Sequence, residues 1–580
     1  MNNQRNILLA VVLSLVFLFG WDALMGRLYP QPDGGEVVEG RVDTPAEQAA
    51  VSAAQGEGDL GGAAPAVTLD NALSGGNRVR IDAPRIAGSI NLVGATIDDI
   101  VLKDYNESTE DDSDPVRLFA PAGTDTQHYA SFGFLTNGER LAADTVWQAD
   151  GNVLSPGSPV TLTHRGEGGL VYSVVFTIDD QYMIDVRQRV DNVGSSAAVV
   201  QPFSLVARTS ATASEDFFIA HSGPMGVFGG AANYDFGYDD VVEEINVSPA
   251  GRPEWIGFTD IYWLSALVPQ TDGADATFRA LGNDVFRADL IHDPLPVAGG
   301  RAVETQVQLF AGAKESGVLD SYEDAGIEKF GLAIDWGWFR WFEKPLLWLL
   351  KQLFSLVGNF GVAIILLTVV VRGVMFPIAQ KQFASMAAMK AIQPDMKRIQ
   401  EQHKDDKLKA QQEMQKLFKD RGVNPLAGCL PLLLQIPIFF ALYKVLYLAI
   451  EMRHENFLYI EDLSAPDPAK ILNLFGLLPF DPPGFLGIGI LAVLLGFTMW
   501  LTFKLNPSTM DPVQQQIFNI MPWLLMFVMA PFAAGLLVYW NASNILTLAQ
   551  QKYLYSRNPE LKAAAEKEKA EKAAAKAKAG

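Results

Sequence analysis

The chain has 580 residues, 49% of them hydrophobic, and a formal net charge of −21. That charge is divided: residues 31–330 hold 46 Asp/Glu against 17 Lys/Arg, a balance of −29, while the rest hold 20 against 28, a balance of +8. An acidic region joined to a hydrophobic one with basic loops argues against nucleic-acid binding by the acidic part, whose charge repels phosphate, and the single Cys429 rules out an internal disulfide without indicating a compartment.

Residues 1–30 open with MNNQRN and continue as an apolar run, Ile7 to Met25, broken only by Ser14 and Asp22. A removed signal peptide carries a small-residue cleavage site after its apolar core. The sequence that follows, WDALMGRLYPQ, has no such pattern. An uncleaved transmembrane signal anchor is expected, with a removed signal peptide as the alternative. Arg5 on the inside sends residue 31 outside. Residues 31–75, rich in Gly, Pro, Ala, Glu and Asp, cannot bury enough apolar surface to order themselves and read as a flexible linker.

Residues 76–325 change character. Runs such as RIAGSINLVGATIDDIVLKDY, YASFGFL, PVTLTHR, GLVYSVVFTID, YMIDVRQRVDNVG, AAVVQPFSLVAR, IYWLSALVPQ, ATFRALG and VETQVQLFAGA place Val, Ile, Tyr and Phe at period two between Gly, Asp and Asn. This predicts antiparallel strands, in one large sandwich or two packed ones. His128, His164, His221 and His292 show no ligand spacing, and there is no Gly-x-Ser-x-Gly elbow. Asp179/Asp180 and Asp239/Asp240 sit at turn-like positions, where solvated turn residues are expected rather than a catalytic carboxylate pair.

Residues 335–357 combine Trp336, Trp338, Trp341 and Trp348 with Lys344 and Lys351. An amphipathic helix in the outer interface is expected, with Pro345 in its first turn; the start of the next span is the alternative. Residues 358–555 then hold five apolar spans. The first reads NFGVAIILLTVVVRGVMFP, with Arg372 near its end and Pro377 closing it. If its helix starts near Asn359, Arg372 lies about 20 Å down, in the inner half of a bilayer. Residues 381–421 are polar, with 10 Lys/Arg against 6 Asp/Glu, and read as a helical hairpin broken at Pro394. Its Met386 and Met389 either meet varied partners or pack the two arms together. The second span, 425–450, contains Pro431, Gln435 and Pro437; a third runs from Phe485 to Lys504. A short fourth holds Pro522, and the last is interrupted by Asn541, Ser543 and Asn544. The tail, 556–580, carries 6 Lys and 1 Arg against 4 Glu. Basic segments fall on one side and acidic ones on the other, which fits six spans with both termini inside.

A guanidinium does not shed its proton and costs about 2.5–3.5 kcal/mol in hydrocarbon on insertion scales. Arg372 therefore either snorkels to the inner headgroups or faces a wet cavity within the bundle. The spans also hold Thr368, Gln435, Asn541, Ser543 and Asn544, but no Asp, Glu or His relay of the kind proton-coupled transporters use. No nucleophile, metal set or phosphate loop appears, so an enzyme is not expected and no cofactor is called for. A small-solute channel or transporter with a periplasmic ligand-binding domain is the alternative.

The stretches VRGVMFP, NPLAGCLPLLLQIPIFFALY, DPVQQQ and GLLVYWNASN, together with the N-terminal anchor and the β region, resemble the YidC/Oxa/Alb family of membrane protein insertases in its Gram-negative form. The resemblance spans nearly the whole chain. It implies a polytopic α-helical membrane protein, an anchor plus a five-helix core around a hydrophilic groove, with a large periplasmic all-β supersandwich domain. It makes Arg372 the groove arginine, with Thr368 one turn above it. Gln435 and Asn541 would line the groove, and Phe439 would face the inserting span. Tyr539 and Trp540 stand where many relatives carry two tyrosines. Met386, Met389, Lys390, Lys397 and Arg398 would belong to a targeting and ribosome-facing hairpin. The implied partners are nascent membrane proteins, a Sec-type translocon, the ribosome and targeting machinery, and membrane lipids. The implied location is the bacterial inner membrane.

Overall fold

The computed structural model describes residues 67–557 except 111, 215–219, 235, 338–339, 404–405, 423–429, 476, 479, 481, 483–486 and 506–511. The expected signal anchor, most of the linker and nearly all of the Lys-rich tail lie outside the described residues. The chain divides into two compact units, residues 1–338 and 339–580.

The first unit is built from a 12-stranded and a 9-stranded sheet. Every pairing is antiparallel except that of Arg78–Asp82 with Val153–Leu154. The clearest element is the hairpin of Leu170–Ile178 and Met183–Asn192, whose first strand alternates buried and half-buried along its length. One face of such a strand enters the core, and the other faces outward. Asp179 makes the turn: its Oδ1 accepts from the backbone of Gln181 at 2.9 Å and Met183 at 3.0 Å.

The two sheets are pinned across the core by polar groups as well as apolar ones. Gln188 donates to the carbonyls of Gly133 at 2.8 Å and Phe203 at 3.1 Å, and accepts from Ser204 at 3.2 Å. Gly133 has no room for a side chain, because an added Cβ would sit 2.4 Å from the Phe203 ring. His128 Nε2 and Ser265 Oγ hydrogen-bond at 2.8 Å. Burial, with Arg208 close by, holds that imidazole well below its ordinary pKa. Arg208 pairs with Asp260, and Arg279 and Arg287 share Asp289, at 2.5 and 2.7 Å. All five of these charged side chains are buried.

Several strands escape the alternation expected from sequence. Gly223–Phe228 is buried at every position, and Val285–His292 buries Arg287 and Asp289 inside the sheet. Asp239 and Asp240 start the short helix Tyr238–Glu244 rather than a turn. Trp336, expected in an interfacial helix, is 2% exposed in the core of this unit.

The second unit is helical: α1 Arg340–Val357, α2 Phe360–Ala391, α3 Gln393–Gln402, α4 Lys407–Asp420, α5 Leu430–Leu448, α6 Ile490–Leu505, α7 Pro512–Met529 and α8 Ala534–Arg557. α1 begins before Pro345, buries Glu343, Leu346, Leu347 and Leu350, and exposes Trp341 and Trp348. Pro377 does not close the first span. α2 runs through it, which costs one backbone hydrogen bond in a helix otherwise complete. The helical run does break beside Pro394, which sits in the first turn of α3, while the two arms of the hairpin are α3 and α4. Asp406 caps α4, and Arg421 reaches Asp395 across the hairpin at 3.4 Å. α8 packs against α2 and α6, α6 against α7, and α1 against α2 and α5. Among the described residues, Phe360–Lys381 is long and apolar enough to cross a membrane; Pro437–Leu448, Ile490–Lys504 and Asn519–Met529 are shorter apolar stretches.

Candidate functional site

α8 carries two polar stripes that do different work. Asn541 and Asn544, three residues apart, face α6. Asn541 donates to the Leu491 carbonyl at 3.0 Å and to Leu537 at 2.9 Å, and accepts from Thr498 at 3.3 Å. Asn544 donates to the Thr498 hydroxyl at 3.1 Å. All three side chains are buried. Amides in apolar surroundings persist when hydrogen-bonded, and here the bonds clamp α6 to α8.

The other stripe, Trp540, Ser543, Thr547 and Gln550, follows helical spacing. Arg372 on α2 donates through Nε to Ser543 Oγ at 3.1 Å and through a second nitrogen to the same oxygen. Gln550 donates to the Arg372 carbonyl at 3.4 Å. Arg372 is half-buried, and among the described residues no carboxylate pairs with it. A charge-assisted bond to a neutral hydroxyl orients the guanidinium but leaves its charge uncompensated. Thr368, one turn earlier, is 1% exposed and spends its hydroxyl on the Ile364 carbonyl at 2.7 Å.

Phe439 on α5 meets the Trp540 ring at 4.6 Å between centroids, inclined by 57°, and lies 6.4 Å from Tyr443. The structure thus brings Arg372, Ser543, Trp540 and Phe439 together around one stripe of α8. Tyr539 is buried. Asn541 points to α6, where it serves the clamp. The side chains of Gln435, Met386, Met389, Lys390 and Lys397 lie outside the described residues; Arg398 is exposed and sits 3.8 Å from Asp395. Sequence reasoning gave no place to Thr498, because a lone threonine in an apolar helix carries no signal. Ser543 stood out only as one polar residue at membrane depth. Among the described residues no group of three His, Cys, Asp or Glu could hold a metal.

The family described as the YidC periplasmic domain matches residues 78–349, and that described as the 60Kd inner membrane protein matches residues 352–562. Curated relatives called membrane protein insertase YidC match along almost their whole length. That of Methylorubrum extorquens is 39% identical over 96% of this chain and 96% of its own. That of Methylobacterium radiotolerans is 40% identical over 96% and 95%. That of Zymomonas mobilis is 40% identical over 96% of both. The transporter reading finds no support among them. The all-β unit of sandwiched sheets followed by a helical core agrees with this assignment. The chain belongs to the YidC family of inner-membrane protein insertases.

Proposed function

We propose that nascent membrane proteins enter through a hydrophilic groove in which Arg372 receives the negative charge of a substrate's outer tail. Supporting this is one observation: a half-buried guanidinium whose partner is the neutral Ser543 hydroxyl, with no carboxylate paired to it among the described residues. Such a cation attracts a carboxylate far more strongly in a poorly hydrated pocket than in bulk water. Gln435, Phe439 and Trp540 line the path, while Thr368, Tyr539 and Asn541 build its wall. The substrate's apolar span then leaves into lipid, driven by burial of twenty-odd apolar residues. No covalent step, nucleotide or cofactor is needed.

In this reading the chain has six spans with both termini cytoplasmic and its β unit periplasmic. The hairpin, with Met386, Met389, Lys390, Lys397 and Arg398, and the Lys-rich tail face the ribosome and targeting machinery. A Sec-type translocon receives substrates too large for one groove. The apolar part of α6 is short, roughly 22 Å at 1.5 Å per residue against a hydrocarbon core of about 30 Å, which supports a locally thinned barrier.

Site-specific crosslinking from Phe439 to a stalled nascent membrane protein tests the path, and a crosslink to the inserting span is expected. Labelling of Arg372→Cys by a soluble thiol reagent from the cytoplasmic side tests the groove. Absence of both would sink this reading.

A further inference from the structure

We propose that the turn at residues 471–480 is a lipid contact of this chain, a non-helical finger that enters the outer leaflet at the interface. The inference rests on the six-span reading for the side of the membrane it occupies. Between Lys470 and Asp481 the sequence ILNLFGLLPF holds no charge. Seven of its large apolar side chains are exposed, Leu477 at 81% and Phe475 at 55%. Single exposed apolar residues are ordinary, but a contiguous run of this kind marks a contact surface.

The backbone says which contact. The N–H of Leu474 donates to Ile471 at 3.1 Å, that of Phe475 to Lys470 at 2.9 Å, that of Leu478 to Asn473 at 3.0 Å and that of Phe480 to Leu478 at 2.9 Å. Asn473, the one polar side chain, is buried. A segment that leaves water must satisfy its own backbone, and these bonds do so for part of the turn. Leu474 and Phe475 adopt left-handed conformations, φ 50° and 63°, which bulky apolar residues rarely do. Both side chains end up exposed on the outside of the turn.

The root of the turn fixes its level. Leu491 at the start of α6 donates to Asp467 at 2.7 Å, Gly535 at the start of α8 donates to Leu463 at 2.8 Å, and Asn359 just before α2 donates to the Asn456 carbonyl at 2.9 Å. The loop that carries the finger therefore lies where three apolar helices begin, which is the height of the bilayer interface. A protein-docking surface mixes apolar anchors with a polar rim, and these ten residues offer no rim.

The test uses the full chain with Cys429→Ser and a single cysteine at Leu477, labelled with an environment-sensitive fluorophore, in liposomes whose acyl chains carry bromine. Blue-shifted emission and quenching by the brominated lipid are expected; Phe480→Cys supplies a second position, and Glu461→Cys in the same loop is expected to read as aqueous. Water-like emission at 477 and 480, quenched by iodide, would overturn the proposal. So would protection appearing only in native membranes, since a protein would then cover the turn. Accessibility of Glu461→Cys to an impermeant thiol reagent in right-side-out vesicles checks the orientation separately. Failure there would overturn the six-span reading while leaving the depth at 477 to decide the lipid contact.

Discussion

The buried arginines of the β unit and Arg372 of the helical unit are held in opposite ways. In the β unit every arginine buried among the described residues has a carboxylate: Arg208 has Asp260, and Arg279 with Arg287 has Asp289. In the helical unit Arg372 has a serine hydroxyl. A buried ion pair closes on itself and serves the fold. A cation held by a neutral partner keeps most of its attraction for an anion that comes from elsewhere. The difference separates a charge closed within its own fold from one left open to an anion from outside.

The sharpest way to break this contrast is Asp289→Asn. It removes the carboxylate that two buried guanidiniums share, and the expected loss is about 3–5 kcal/mol of opening free energy. Hydrogen exchange in Val285–His292 measures it. A second test is by pH. Burial lowers Lys314 to about 8, although Asp260 and Asp335 pull it upward. The unfolded chain keeps that proton to about 10.5. Between those values the unfolded state binds the extra proton, so the Lys314 contribution to stability rises with pH across this window. In Lys314→Met that rise, on the order of 2 kcal/mol, is expected to vanish from the unfolding midpoints.

Arg372→Ala is expected to do the reverse of Asp289→Asn. Protection of α2 stays within about 1 kcal/mol, because no ion pair is broken. Insertion of substrates with acidic outer tails falls roughly tenfold, the equivalent of one charge-assisted hydrogen bond. Substrates with neutral tails serve as the control in an insertion assay. Asn541→Ala removes the bond to the Leu491 carbonyl and one of the several bonds of the Thr498 hydroxyl, and costs about 1–2 kcal/mol, read as faster exchange along α6 and α8. Trp540→Tyr is the smallest change. It keeps a ring against Phe439, and insertion is expected to stay within about twofold of the parent.

What the sequence disclosed follows from how each signal is written. Leu170–Ile178 and Met183–Asn192 were legible because one side of each strand is apolar. Val285–His292 was not, because Arg287 and Asp289 look solvated until their own pairing and the approach of Arg279 from the neighbouring strand are known. Gly223–Phe228 hides for the opposite reason, being buried on both faces. Arg372 was conspicuous as a charge in an apolar run. Its setting was not, since Ser543 lies 171 positions away in the chain. Sequence likewise groups Asn541 with the groove, whereas only the contact with Leu491 reveals the α6 clamp. Trp336 and Pro377 mislead in the same manner: residue type suggests an interface and a helix end, and packing decides otherwise.

The uninterrupted course of α2 has a mechanical consequence. Thirty-two residues make a rod of about 48 Å, well beyond the roughly 30 Å of a hydrocarbon core. Arg372 sits partway along it, and the hairpin is joined to its far end. Whatever grips the hairpin therefore pulls on the far end of that rod, and the break at Ile392 and the hydrogen bond missing at Pro377 are the two joints at which a tilt can be absorbed before it reaches the arginine.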